Sequence, residues 1–156
     1  MSQASDIVTQ LETSHKYMKS TISIFEAGDA GFAPQPELYT VAGHIAHAAD
    51  SVEWFVEGAF GDGWNMDFDG LIAAARAVET LEDANAWLDR AFARAVKVFG
   101  AASDEELDAT ISDERIMPGA PKRAVVGPIV DHTAHHRGAL AVYARLLGRV
   151  PPMPYG

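Results

Sequence analysis

The sequence contains no cysteine, which removes disulfides, thiolate nucleophiles and sulfur metal ligands together. It also lacks any apolar run near the roughly 18 residues that a membrane-crossing helix needs. Its first twenty residues have neither the basic nor the apolar region of a secretory signal, so a cytoplasmic protein is expected. Basic residues are scarce, with 12 Lys plus Arg against 22 Asp plus Glu and a formal charge of −10. That balance repels phosphate backbones and anionic lipid, so nucleic acid and membrane are not expected partners. No Gly-rich phosphate loop, nucleophile elbow or paired-carboxylate signature stands out.

Hydrophobic residues make up 48% of 156, enough for one core and too many for a disordered chain. A single domain over 1–156 is expected, with 149–156 as a Pro-rich C-terminal tail. Seven of the eight prolines mark boundaries: Pro34, Pro36, Pro118, Pro121, Pro151, Pro152 and Pro154. Pro128 stands apart, at the start of a helical pattern or as a kink within it.

Between these marks the periodicity is helical, with no alternating strand pattern. Ile7, Leu11, His15, Met18, Ile22 and Phe25 form one stripe, ended by Gly28. Thr40 caps a second helix whose stripe is Val41, Ile45, Ala48, Val52, Phe55 and Ala59, running to Gly58 or Gly61. Leu71 to Val78 reads as a short helix. Thr80 and Asp83 form a capping box before a third long stripe from Leu81 to Val98. One turn is expected around Glu105–Leu107 within an otherwise irregular stretch from Gly100 to Pro121. The fourth stripe is Ile129, Thr133, His136, Leu140, Tyr143 and Leu147, stopped by Gly148. Four amphipathic helices bury one another in a four-helix bundle, so an all-α fold with short extra helical turns in the connections is expected. The connections from Gly28 to Thr40 and from Gly61 to Thr80 exceed what tight hairpins need, so a plain up-down order does not follow.

Five of the six histidines fall in two short stretches, His44 and His47 in one and His132, His135 and His136 in the other. At about 100° per residue, His136 lies about 20° and His132 about 60° from the fourth stripe, while His135 lies about 120° away. His132 and His136, four apart, therefore rise from one face, as helical metal ligands do. On the second helix, His44 lies about 60° and His47 about 120° from the stripe. Angle alone favours His44 slightly and leaves both open as the third ligand. His15 sits on the first stripe, so it and His44 are candidate pocket residues. Arg137 and Arg145 are candidate anchors for an anionic substrate, and Trp64 and Phe68 for a lid. Asp131 projects outward, and Asp104, Glu105 and Glu106 read as a solvated turn.

Two segments carry a family resemblance. Tyr39-Thr40-Val41-Ala42-Gly43-His44-Ile45-Ala46-His47-Ala48-Ala49-Asp50-Ser51 resembles the first motif of the DinB-like superfamily of metal-binding four-helix bundles, related to the YfiT proteins. His132-Thr133-Ala134-His135-His136-Arg137-Gly138 resembles its His-x-x-x-His-Arg-Gly motif, with Ala139 where the family usually has Gln. Trp54 and Phe55, and the ending from Tyr143 to Gly148 followed by Pro151 to Tyr155, are also similar to the family. The resemblance implies a divalent metal on His47, His132 and His136, with His44 at a variable position; three His ligands suit Zn, Ni, Fe or Cu. It also implies a thiol-dependent transferase, in which the metal holds a low-molecular-weight thiol, or a metal-dependent hydrolase. The alternative is a module that binds a small ligand, or senses stress, without turnover. A small-molecule substrate or thiol is the expected partner, and a homodimer is compatible with the chain.

Overall fold

Five of the six α-helices described begin where a short polar side chain takes an orphan backbone N–H; the exception starts after Val125, which offers no side-chain cap. In the computed structural model, which describes residues 2–155, Ser2, Thr40, Asp67, Thr80 and Ser103 each cap a helix in this way. Met1 and Gly156, the ends of the domain expected over 1–156, lie outside the described residues. The helices are α1 (Gln3–Ile22), α2 (Val41–Phe60), α3 (Phe68–Arg76), α4 (Leu81–Ala101), α5 (Asp104–Asp108) and α6 (Val126–Leu146). Short 3-10 turns cover Ala27–Asp29 and Lys122–Val125. No strand forms among the described residues, where Thr110 and Pro121 make an isolated bridge. The fold is the all-α bundle that the periodicity predicts. None of the described helices is long and apolar enough to cross a membrane.

Two helix boundaries differ from the sequence reading, and a third settles where Pro128 falls. α1 stops at Ile22 and not at Gly28. The Ser23 hydroxyl donates to the Ser20 carbonyl at 2.7 Å, a local bond that competes with the helical ladder. The Glu26 N–H then donates to the Asp29 carboxylate at 2.7 Å and fixes the following turn. Phe25 still reaches the core, 8% exposed, from outside the helix. α3 starts at Phe68, before Leu71, because Asp67 caps it through the Gly70 N–H at 3.0 Å. α6 starts at Val126, so Pro128 falls in its first turn. A missing N–H costs no ladder bond there.

The four long helices form a ring in the order α1, α4, α2, α6, since α1 packs on α4 and α6 and α2 packs on the same two. α1 and α2 are therefore diagonal to each other, as are α4 and α6. The segments 23–40 and 102–125 must cross the bundle end, which accounts for their length. This order makes α2 and α6 neighbours, and it sets α1 across the bundle from α2.

Leu11, Met18, Ile45, Leu88, Phe92, Phe99, Ile129 and Leu140 fill the core, each under 2% exposed. One contact admits no substitute. A Cβ on Gly58 would lie 2.1 Å from the Trp64 ring, so α2 needs glycine there for the indole to lie flat against it. Trp64 is otherwise fixed by its indole N–H donating to the Asp113 carbonyl at 2.7 Å and its backbone N–H to the Asp113 carboxylate at 2.9 Å. Alanine elsewhere in a helix interior gains about 1 kcal/mol over glycine. Here Gly58→Ala should instead destabilise by about 1–3 kcal/mol through overpacking. Thermal unfolding should show a melting point lower by about 3–10 °C, with Trp64 fluorescence shifted toward that of an exposed indole.

Candidate metal centre

α2 and α6 each present a row of polar side chains where they meet. On α2, His44, His47 and Asp50 follow one another at steps of three; on α6, His132, His136 and Tyr143 follow at steps of four and seven. These steps keep each row on one helix face. His132 Nε2 lies 3.3 Å from His47 Nε2 and 3.0 Å from His136 Nε2. One ring nitrogen from each of the three residues lies within 4.8 Å of the others, a set that could hold a metal ion. Two nitrogens about 2.05 Å from one zinc are separated by about 3.3 Å at the tetrahedral angle and about 2.9 Å at a right angle. The observed spacings match that range. His135 points outward and is exposed.

Burial governs the protonation of this cluster. Desolvation is the main cause lowering the pKa of His44 and of His47 to about 4, with repulsion from neighbouring imidazoles adding to it. Desolvation, then imidazole repulsion, also lowers His136, and lowers His132 against an opposing pull from the Asp131 carboxylate. All four rings are neutral at pH 7, so each keeps a lone pair for an ion or a hydrogen bond. His44 lies behind the set: its Nδ1 is 2.9 Å from His136 Nδ1, and its Nε2 is 3.1 Å from the Tyr143 hydroxyl. The His47 ring stacks on Tyr39 at 5.0 Å with 17° between the planes, and its Nδ1 is buried without a partner.

The other expected site residues fall elsewhere. His15 stacks on Phe92 at 4.8 Å and meets Asp89 at 2.8 Å through Nε2. It belongs to the α1–α4 contact, away from the imidazole cluster; the diagonal placement of α1 and α2 keeps it out of that pocket. Arg137 lies over the rings of Tyr17 and Tyr155, and Arg145 donates to the Ala141 carbonyl on its own helix. Asp131 is exposed, as its angle on the helix predicts.

A cavity of about 230 Å³ opens beside the cluster, lined by His47 and His132 together with Asp50, Trp54, Phe55 and the apolar face of α3. Phe68, 47% exposed, stands at its rim. Trp64 lies against Trp54, with ring centroids 4.6 Å apart and the planes tilted by 47°. Asp50 is the residue that sequence reasoning missed as a site residue. It is 8% exposed, and its carboxylate meets no cation or hydrogen-bond donor among the described residues. Burial, with repulsion from Glu53, raises its pKa to about 6. Its spacing of three from His47 was the available signal. Tyr143 was read as core, although seven residues from His136 is two full turns along the same face.

The chain belongs to the DinB superfamily, whose family model matches residues 10–140, a span that includes all three converging histidines. Among solved structures, it is similar to a conserved protein from Enterococcus faecalis, with a TM-score of 0.73 and 16% identity, covering 96% of this chain and 99% of that one. That likeness is one of fold. No curated protein matches the sequence.

Asp50 gives the site a measurable cost. A carboxyl whose pKa is about 6 in the folded state and 3.8 ordinarily binds more protons folded than unfolded between those values. Its contribution is therefore favourable at low pH and is lost as pH rises through about 6. In metal-free protein at pH 7.5, Asp50→Asn should be more stable than wild type by on the order of 1–3 kcal/mol. The gap should shrink steadily toward pH 4. Denaturant unfolding at both pH values checks this, and a pH-independent difference contradicts it.

Proposed function

We propose that the protein is a metal-dependent enzyme acting on a small molecule, by transfer of a low-molecular-weight thiol or by hydrolysis. The observation that carries the reading is the convergence of three imidazole nitrogens, two of whose rings, His47 and His132, line an apolar cavity. Nε2 of His47, His132 and His136 would hold a divalent transition ion such as Zn, Ni, Fe or Cu, for which a neutral nitrogen donor set is suited. Bound there, the ion supplies Lewis acidity, lowering the pKa of water or of a thiol so that a nucleophile exists near neutral pH. A structural zinc site is ordinarily closed by four protein ligands. The set here has three among the described residues, which supports coordination positions left open to a substrate.

The chain's own groups fit the rest of that task. Trp54, Phe55 and Phe68 exclude water and offer an apolar surface to the body of a substrate. Asp50, inside the same cavity, is placed to take the proton released when the nucleophile forms. A carboxylate with a pKa near 6 is suited to hold a proton briefly at neutral pH.

Metal analysis and thiol binding test the reading. Zinc affinity should fall at least about tenfold in each of His47→Ala, His132→Ala and His136→Ala, and should not change in His135→Ala. Metal-loaded protein should bind a thiol from a low-molecular-weight panel and release a proton, seen by calorimetry in buffers of different ionisation enthalpy; metal-free protein should bind none. With electrophilic acceptors or esters added, Asp50→Asn should lower turnover by about 10²–10⁴-fold while still binding thiol. Metal-dependent binding of small ligands without turnover of any acceptor would instead support a binding or sensor module.

A further inference from the structure

We propose that His44 and Tyr143 are positioning residues that fix the tautomer of His136, so that a lone pair and not an N–H of its Nε2 faces His47 and His132. The inference rests on the metal-site reading above for its functional meaning, and on hydrogen-bond order for its content.

The order starts at a group that can act in one direction. The Tyr39 carbonyl precedes α2 and can only accept; it lies 3.0 Å from the Tyr143 hydroxyl. The hydroxyl has one proton, and donating it to Tyr39 leaves the Tyr143 oxygen as an acceptor. His44 Nε2, 3.1 Å from that oxygen, must then carry the imidazole proton. His44 is 8% exposed and faces imidazoles and a phenol, with no carboxylate paired to it. A charge there would be costly, so the ring is neutral and has a single N–H. Its Nδ1 is consequently a lone pair, 2.9 Å from His136 Nδ1. His136 Nδ1 has to be the donor in that contact. What remains on His136 is a bare Nε2, 3.0 Å from His132 Nε2.

Reversing the chain costs the Tyr39 carbonyl its donor: were Tyr143 to donate to His44 Nε2, His44 Nδ1 would donate to His136 Nδ1, and His136 would carry its proton on Nε2. Metal-binding imidazoles generally have their far nitrogen held by an acceptor. Here the acceptor is a second imidazole, itself ordered by a phenol and a main-chain carbonyl. The Tyr39 residue joins both sides of the site, because its ring also stacks on His47 and lies under the Arg76 guanidinium at 4.8 Å.

The test reads the tautomer directly. Two-bond ¹H–¹⁵N spectra of metal-free and zinc-loaded wild type should both show His136 as the Nδ1–H form, with zinc on Nε2 in the loaded state. In metal-free His44→Ala, His136 should populate the Nε2–H form, and zinc affinity should drop about 10–100-fold. His44→Gln, whose amide can accept from His136 and donate to Tyr143, should recover most of that affinity; Tyr143→Phe should lose part of it. Circular dichroism identifies any variant that fails to fold, and His44→Gln then decides, since a glutamine that folds but leaves His136 as Nε2–H overturns the proposal. An Nε2–H form of His136 in metal-free wild type overturns it outright. So does zinc bound equally tightly by wild type and a folded His44→Ala. If wild type binds no zinc, the metal-site reading fails, and the metal-free spectrum alone upholds or overturns the relay.

Discussion

Four imidazoles share the space between α2 and α6, and burial keeps all of them uncharged. The rest of the site depends on that constraint. Lone pairs crowded at 3.0–3.3 Å are tolerable only when each ring is held in place and an N–H or a cation stands among them. The fold meets the first condition with unlike devices on each ring. His47 is held by stacking on Tyr39, His136 by the bond to His44, and His132 by its place on α6 between them. Neutrality also prepares the cluster for a cation, because no proton has to be displaced by one at pH 7.

Helix order is what allows the constraint to be satisfied. The two histidine stretches lie more than eighty residues apart, and they meet because α2 and α6 are ring neighbours while α1 and α2 are diagonal. α2 is the most enclosed of the long helices, and alanine dominates its buried face. Those small side chains suit the extensive packing of α2 on α4, while the imidazoles of α2 and α6 meet directly across the seam between those two helices. Gly58 serves a separate contact, with the loop after α2, where the Trp64 ring occupies the place of a side chain.

Much of this was legible in the sequence, for reasons that separate cleanly. Helical periodicity shows each stripe because burial on one face is a local property, so the four long helices and the inward aim of His132 and His136 could be read directly. The choice between His44 and His47 could not be made from angle. His44 is the more buried of the two, as its angle predicts, yet the more buried ring lies behind the converging set and not within it. Angle reports depth from solvent and carries no information about the height of the partner helix. The resemblance of the first motif pointed to His47 because it encodes that missing alignment. His15 shows the opposite limit: it lies on an apolar stripe, but the stripe faces α4, and ring order is a tertiary property that no single helix displays. Phe25 obeyed the periodicity beyond the end of its helix, since a side chain can enter the core from a turn.

Asp50 marks where the α2–α6 cluster departs from what folding alone would select. A buried carboxylate with no donor beside it is unfavourable in an apolar bundle, and an alanine or leucine at that position would pack without such a penalty. The position has an aromatic-walled cavity on one side and an imidazole nitrogen row on the other, so the group that burdens the fold is also the one with access to whatever occupies the cavity. The cost is bearable because it is local. Leu11, Met18, Leu88, Phe92 and Phe99 fill the remainder of the core at under 2% exposure, and a core of that kind can carry a few kcal/mol of unfavourable polar burial at one place. Polar strain is therefore gathered on the α2–α6 seam, while all four long helices supply apolar packing, Ile45 from α2 and Ile129 and Leu140 from α6 included.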